Sequence, residues 1–375
     1  MFTKGEGKII SDANSILLIQ LGDIGDVVLS FPCVRALRER FPHAKIIVAV
    51  REKAAELIDL CPWADGVISV VEGRESWWGQ LVCQWRFLRL LRSHNFDLAI
   101  DLRTGTRGAI LAFLSGARER VGFYSLDGRP WRDWVFSNIF RPGPEPGRHM
   151  SSYLLALLEA CGITTNHPVP EFAIPKAMEV QVDDILNRIN VLTEKPLVAV
   201  QPFSLWGYKE LSEEKYVQII CWIRQRYQLP VLVVGGPGER ERAQSIVSQC
   251  EEAGEVFNLA GETSIGMYGA LLHRCSLFVG VDSAGQHLAA ASGVASVVIY
   301  GPSCPATWAP QGEKHIVVQK GQIGCVPCNQ AGCEGKRQES RCLQELSVAE
   351  IIPFVERQLQ ALGIPEVVDI KTSAE

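Results

Sequence analysis

Residues 276–301 read SLFVGVDSAGQHLAAASGVASVVIYG, and this stretch decides the fold. An apolar, β-branched run ends at Asp282, a small-residue helical pattern follows from Ala284, and a second apolar run starts at Ala295. A strand, a helix and a strand in such quick succession predict a parallel sheet, because parallel neighbours must be joined by a crossover.

The same alternation recurs outward in both directions. The first half carries predicted strands at 15–21, 45–50, 66–71 and 96–102, with helical patterns at 26–40, 52–60, 78–93 and 106–115. The second half carries strands at 196–201, 230–236, 255–261, 276–282 and 296–301, with helices at 212–228, 238–253, 264–274 and 285–292. The Pro-rich stretch NHPVPEFAIPK (166–176) separates the two sets. The expected architecture is α/β, with two doubly wound Rossmann-like domains at 1–175 and 176–350 facing a central cleft. A C-terminal helix and tail occupy 351–375. Ligands of such sheets bind outside the carboxyl ends of the strands, so the loops that follow strands are where chemistry is expected.

The bulk numbers narrow the class. The chain has 375 residues, 47% hydrophobic and 21% charged, as a globular protein does. Lys and Arg number 37 against 42 acids, a net charge of −5 that argues against a nucleic-acid partner. No run is long and apolar enough to cross a membrane, and the N-terminal MFTKGEGKIISDAN lacks the apolar centre of a signal peptide, so a cytoplasmic location is expected. Residues 81–150 hold eleven Arg, six acids and no Lys. That bias suits either solvated helix faces or a surface for an anionic partner, since guanidinium forks pair with phosphate or carboxylate.

Three loops gather the candidate chemistry. LGDIGD (21–26) follows the first strand, and either Asp there can cap a helix or face a ligand. Ser283 with Gln286 three residues on has the form of a capping box, and Ala284 and Gly285 keep that helix start bare. A bare helix start offers backbone N–H groups and the positive dipole end to an anion. His287 lies one turn in, and QPFSLWGYKELSEEKYVQII (201–220) places Lys209 before another helix. Four of the twelve cysteines, Cys325, Cys328, Cys333 and Cys342, cluster as C-x2-C-x4-C-x8-C, which suits buried thiols or a structural metal.

The combination of LLIQLGDIGDVVLSFPCVRALRERFP, DLAIDLRTGTRGAILAFLSGARERVGF, KELSEEKY and VDSAGQHLAAASG…YGPSCPATWAP resembles the lipopolysaccharide heptosyltransferases of glycosyltransferase family 9. That resemblance implies a GT-B fold without cofactor or catalytic metal. It also implies inverting transfer of heptose from an ADP-heptose donor to a lipid-linked, anionic inner-core acceptor. It makes Asp26, rather than Asp23, the general base and Lys209 the group facing the diphosphate. Gly25, Ser204, Asp282, Ser283, Ala284, Gly285 and His287 become candidate substrate contacts. Ala284 departs from the family pattern, where Gly is common. Arg103, Arg107 and Arg120 are candidates for the acceptor's anionic groups. An acceptor at the inner membrane would give the Arg-rich, Trp-containing stretch SWWGQLVCQWRFLRLLRSH (76–94) a peripheral membrane role on the cytoplasmic face. The competing readings are a transferase for a different nucleotide sugar or glycan acceptor, a nicotinamide dehydrogenase and a non-catalytic sugar-binding relative. GGPGERERA (235–243) lacks the G-x-G-x-x-G spacing that a dehydrogenase needs.

Overall fold

The computed structural model describes residues 2–4, 9–70, 77–125, 130–143, 145, 147–191, 195–334 and 339–367. The side chains of 2–4, 77–84 and 130 fall outside that description, including Trp77 and Trp78 of the predicted membrane-surface helix. The chain divides into two compact units, 1–173 and 174–375.

The first unit is built on strands β1 Phe2–Lys4, β2 Ser15–Gln20, β3 Lys45–Arg51, β4 Gly66–Val70, β5 Leu98–Asp101, β6 Glu119–Phe123 and β7 Asn138–Phe140. They pair in the order β1-β7-β6-β5-β2-β3-β4, parallel throughout except that β1 runs antiparallel to β7. Helices α1 Ile24–Leu29, α2 Phe31–Arg40, α3 Trp77–Ser93, α4 Thr106–Ser115, α5 Pro130–Val135 and α6 Met150–Glu159 cover it. β2 is central, and Ile16, Leu17, Leu18 and Ile19 are wholly buried, as expected for a parallel strand covered on both faces. The single helix expected over 26–40 is two. Ser30 ends α1 with its hydroxyl on the Val27 carbonyl at 2.7 Å, and Pro32 opens α2, where a missing N–H costs nothing. Strands β6 and β7 escaped the sequence reading because ERVGF and NIF are short and polar at their edges.

The second unit has strands β8 Val198–Gln201, β9 Val231–Val233, β10 Val256–Asn258, β11 Leu277–Val281, β12 Ala295–Tyr300 and β13 His315–Gln319. Their order is β10-β9-β8-β11-β12-β13, and every pair is parallel. Its helices are α7 Lys176–Arg188, α8 Glu213–Tyr227, α9 Arg240–Gln249, α10 Ile265–His273, α11 Ala284–Ala291, α12 Pro305–Trp308, α13 Arg341–Gln344 and α14 Val348–Ala361. β11 sits between β8 and β12 with Leu277, Phe278, Val279 and Val281 fully buried. The C-terminal helix α14 belongs to this core: Ile351, Val355 and Leu359 pack with Val297, Ile299 and Val318.

Ile19 supports the centre of the first sheet. Ile19→Ala should lower unfolding free energy by about 2–5 kcal/mol through lost burial and the cavity left behind. A urea titration followed by far-ultraviolet circular dichroism measures it, and an unchanged midpoint would contradict the packing described.

Candidate functional site

In each unit the polar side chains gather at the carboxyl ends of the central strands. In the first unit, β2 ends at Gln20, whose Oε1 accepts the Gly22 N–H at 3.2 Å and shapes the turn. Asp23 is the residue before α1, and it faces Lys53 Nζ at 2.7 Å and Arg51 Nη1 at 3.4 Å. The bond to Lys53 holds its carboxyl below the usual carboxylate range. Asp26 lies one turn into α1. Its Oδ2 accepts the Asp23 N–H at 3.0 Å and the Arg103 guanidinium at 2.7 Å. Among the described residues Oδ1 has no partner. Gly22 makes this approach possible, since a Cβ there would lie 2.4 Å from Asp26 Oδ2 and 2.8 Å from Arg103 Nη1.

Arg103 is aimed by a buried network beneath it. Arg132, on α5, is fully buried and donates to the carbonyls of Phe123 at 2.5 Å, Arg103 at 2.7 Å and Gly105 at 3.3 Å. Its Nη2 also meets Asp101 Oδ2 at 3.3 Å, and Asp101 Oδ1 accepts the Arg103 N–H at 3.1 Å. One guanidinium thus clamps the loop from Asp101 to Gly105 and sets the backbone from which Arg103 reaches Asp26. Burial pushes the Asp101 carboxyl up to about 7, against the pull of Arg132.

In the second unit, Asp282 follows β11 and is almost wholly buried. Its Oδ2 lies 2.7 Å from Lys209 Nζ, and its Oδ1 accepts from Gln286 Nε2 at 2.8 Å. Tyr300 OH, at the end of β12, donates to Gln286 Oε1 at 2.8 Å. The capping box read from the sequence is therefore absent. Gln286 turns inward to hold Asp282, and Ser283 precedes α11 with no side-chain cap bond. The buried Ser283 hydroxyl has no partner among the described residues. The α11 start is left with a buried, unpartnered hydroxyl and with the N–H groups that any helix start leaves without an intrahelical acceptor. Beside it, Tyr268 OH donates to Gln201 Oε1 at 2.6 Å, and a Cβ at Gly285 would fall 1.7 Å from that oxygen. Only glycine lets α11 approach β8 this closely.

Residues 84–338 match glycosyltransferase family 9 (heptosyltransferase). The chain belongs to this family. Lipopolysaccharide heptosyltransferase 3 of Escherichia coli strain K12 is 23% identical over 303 residues, which span 81% of this chain and 87% of that relative. Among solved structures, a family 9 glycosyltransferase from Veillonella parvula aligns with a TM-score of 0.80 at 22% identity, covering 95% of this chain and 99% of that one. Escherichia coli heptosyltransferase WaaC with ADP-2-deoxy-2-fluoro heptose aligns at 0.69 and 19%, covering 92% and 99%. The fold is α/β of the GT-B class, and the protein is a glycosyltransferase.

Against this family background the residues singled out from the sequence separate into groups. Asp26, Gly25, Arg103 and Arg107 share the carboxyl end of the first sheet, on α1 and the turn into α4. Arg120 does not. It lies at the start of β6, the opposite end of the sheet, and its guanidinium is spent on the carbonyls of Val135 and Ala117. Lys209, Ser204, Asp282, Ser283, Ala284, Gly285 and His287 share the carboxyl end of the second sheet, with Ser204 Oγ 3.5 Å from the Asp282 carbonyl and His287 buried in the first turns of α11. Lys209 is not a free cation here, because Asp282 neutralises it. Sequence reasoning missed Gln201, Tyr268, Tyr300, Asp101 and Arg132. The available signal was a polar residue closing an apolar run, as in VAVQ and LAID. Arg132 has no such mark.

The four clustered cysteines lie between β13 and the end of α13, where Cys333 Sγ accepts the Arg341 N–H at 3.4 Å. Burial first, then the neighbouring Cys333, pushes the Cys342 thiol up to about 11. Among the described residues no group of three or more His, Cys, Asp or Glu side chains is placed to hold a metal ion.

Arg132→Met would leave Asp101 buried without its partner and strand three carbonyls, an expected loss of about 3–5 kcal/mol in a urea titration. Asp101 also predicts a pH dependence. Its folded pKa of about 7 exceeds the ordinary 3.8, so between those values the folded state holds a proton that the unfolded chain has released. Stability contributed by this group therefore falls as pH rises across that window and levels off above it. Asp101→Asn should remove the slope, which midpoints at about pH 5 and about pH 8 will reveal. An equal slope in the variant would contradict the assignment.

Proposed function

We propose that the protein is an inverting heptosyltransferase acting on a lipopolysaccharide inner-core acceptor, with ADP-heptose as donor and Asp26 as general base. The observation that carries this reading is Asp26 itself: a carboxylate anchored through one oxygen by Arg103 and the Asp23 N–H, with its other oxygen open. The names of the relatives support the substrate class, because one is a lipopolysaccharide heptosyltransferase and another carries an ADP-linked fluoroheptose.

In the proposed reaction an acceptor hydroxyl attacks the anomeric carbon as the bond to the diphosphate oxygen breaks. The hydroxyl proton passes to Asp26 Oδ1, and nucleoside diphosphate leaves with the bonding electron pair. Charge growing on the diphosphate is assigned to the open N–H groups at Ser283–Gln286 and to Lys209. An ammonium has three hydrogens, so Lys209 can keep Asp282 and still offer a donor to phosphate. Asp282, fixed by Gln286 and Tyr300, is then a positioning residue for Lys209. This reading needs neither cofactor nor catalytic metal. Arg103 and Arg107 are assigned to the acceptor's anionic groups, and occupation of Arg103 by such a group would loosen its hold on Asp26.

Asp26→Asn should lower kcat by about 10²–10⁴-fold while leaving donor affinity nearly unchanged. Release of nucleoside diphosphate from a panel of ADP-, UDP- and GDP-sugars, with calorimetric donor binding, tests base and donor together. Retained turnover in the variant would remove Asp26 as the base, and preference for a UDP- or GDP-sugar would remove ADP-heptose. Lys209→Met should cost about 10²–10³-fold in kcat, the scale of one preorganised transition-state donor.

A further inference from the structure

The loop between β8 and α8 carries Lys209, and it is a fixed piece of structure. Phe203 at its start and Leu211 at its end are buried in the core of the second unit. Between them the backbone is tied at several points. The Ser204 N–H donates to Glu210 Oε1 at 2.8 Å, and the Glu210 N–H donates to the Gly207 carbonyl at 3.0 Å. Arg242 holds the Glu210 carboxylate at 2.8 Å, and Ser340 Oγ donates to the Tyr208 carbonyl at 2.6 Å.

This arrangement leaves two large apolar side chains outside, Leu205 at 71% exposure and Trp206 at 52%. Among the described residues of the second unit, Trp206 is the one exposed Phe, Trp or Tyr. The Tyr208 ring stands 6.1 Å from the indole at 31°, giving it a neighbour on one side. The backbone of Trp206 meets the residues proposed for the diphosphate. Its carbonyl accepts the Lys209 N–H at 2.9 Å, and its N–H lies 3.4 Å from Ser204 Oγ, which reaches the Asp282 carbonyl at 3.5 Å. The indole therefore starts from the same turn as the Lys209 ammonium. In a nucleotide sugar the sugar is bonded directly to the diphosphate, which brings a sugar ring to this edge. A pyranose is polar at its hydroxyls but presents C–H groups on its faces, and the negative face of an indole meets such groups favourably.

We propose that Trp206 is a specificity residue for the donor, its indole stacking on the C–H face of the sugar to be transferred. This inference rests on the proposed use of a nucleotide sugar and deepens it, because it divides the donor between two kinds of contact. Lys209 and the α11 start take the diphosphate, which every nucleoside diphosphate carries. Trp206 takes the sugar, which the released nucleoside diphosphate has lost. The product then binds this loop less tightly than the donor does, which favours its departure after transfer. A loop already fixed before the sugar arrives also lowers the ordering cost of the contact.

Calorimetric binding of ADP and of ADP-heptose to the full chain tests the assignment. Trp206→Ala should weaken ADP-heptose by about tenfold, the scale of one aromatic stacking contact, and leave ADP within about twofold. Trp206→Phe should recover most of the loss, and in turnover the Trp206→Ala effect should fall on the donor KM and not on the acceptor KM. Trp206 is exposed, so circular dichroism of the variants should remain that of the parent. Equal weakening of ADP and ADP-heptose overturns the proposal, because the residue would then only support the loop. So does an unchanged affinity for ADP-heptose, or a loss confined to the acceptor KM. Failure of the donor reading looks different: the parent chain itself would neither bind ADP-heptose nor transfer heptose. A parent that binds and transfers, matched in both by Trp206→Ala, removes the role of Trp206 alone.

Discussion

A strand in a parallel sheet cannot turn back on itself, so it must return by a crossover to the end from which it started. Every carboxyl end then points the same way, and the loops that leave those ends share one edge of the sheet. Both units obey this constraint, the antiparallel β1 of the first apart. Asp26 and Arg103 are far apart in sequence yet follow β2 and β5, which are paired neighbours. Lys209 and Asp282 follow β8 and β11, also paired neighbours. The polar groups meet because the strands before them are hydrogen-bonded.

Each half then needs a device that aims its charged side chain, and the two devices are built alike. In the first unit Asp101, the last residue of β5, takes Arg132 on one oxygen and the Arg103 N–H on the other. In the second, Asp282 takes Lys209 on one oxygen and Gln286 on the other, with Tyr300 behind Gln286. Charges buried in this way are costly unless every oxygen has a donor. The requirement leaves little freedom in the loops, and it explains why both carboxylates sit directly at strand ends, where backbone and side-chain donors converge.

Membership of glycosyltransferase family 9 makes the protein a glycosyltransferase, and the outer helical layer of the first unit is a feature apart from both strand-end clusters. The inner faces of α3, α4 and α5 complete a core, and their outer faces expose large apolar groups among arginines. No helix among the described residues is long and apolar enough to cross a membrane.

Much of this was legible in the order of the residues. The strong apolar runs marked the central strands, and the helix over 106–115 appears with the bounds its pattern predicts. Periodicity reports burial, and burial is greatest at the centre of a sheet. Strands β6, β7 and β13, away from the sheet centres, were missed for the same reason, being short or only partly buried. The motifs around Asp26, Lys209 and Asp282 lie in loops that the fold sets at the carboxyl ends of paired strands. What the sequence could not decide was partnership. Ser283 and Gln286 have the spacing of a capping box, but Tyr300 and Asp282 compete for Gln286 and win. Arg120 and Arg132 look alike in an Arg-rich stretch, yet one holds carbonyls at the far end of the sheet and the other clamps the loop that presents Arg103. Secondary structure follows from local pattern, whereas the partner of a polar side chain depends on which distant strand the fold sets beside it.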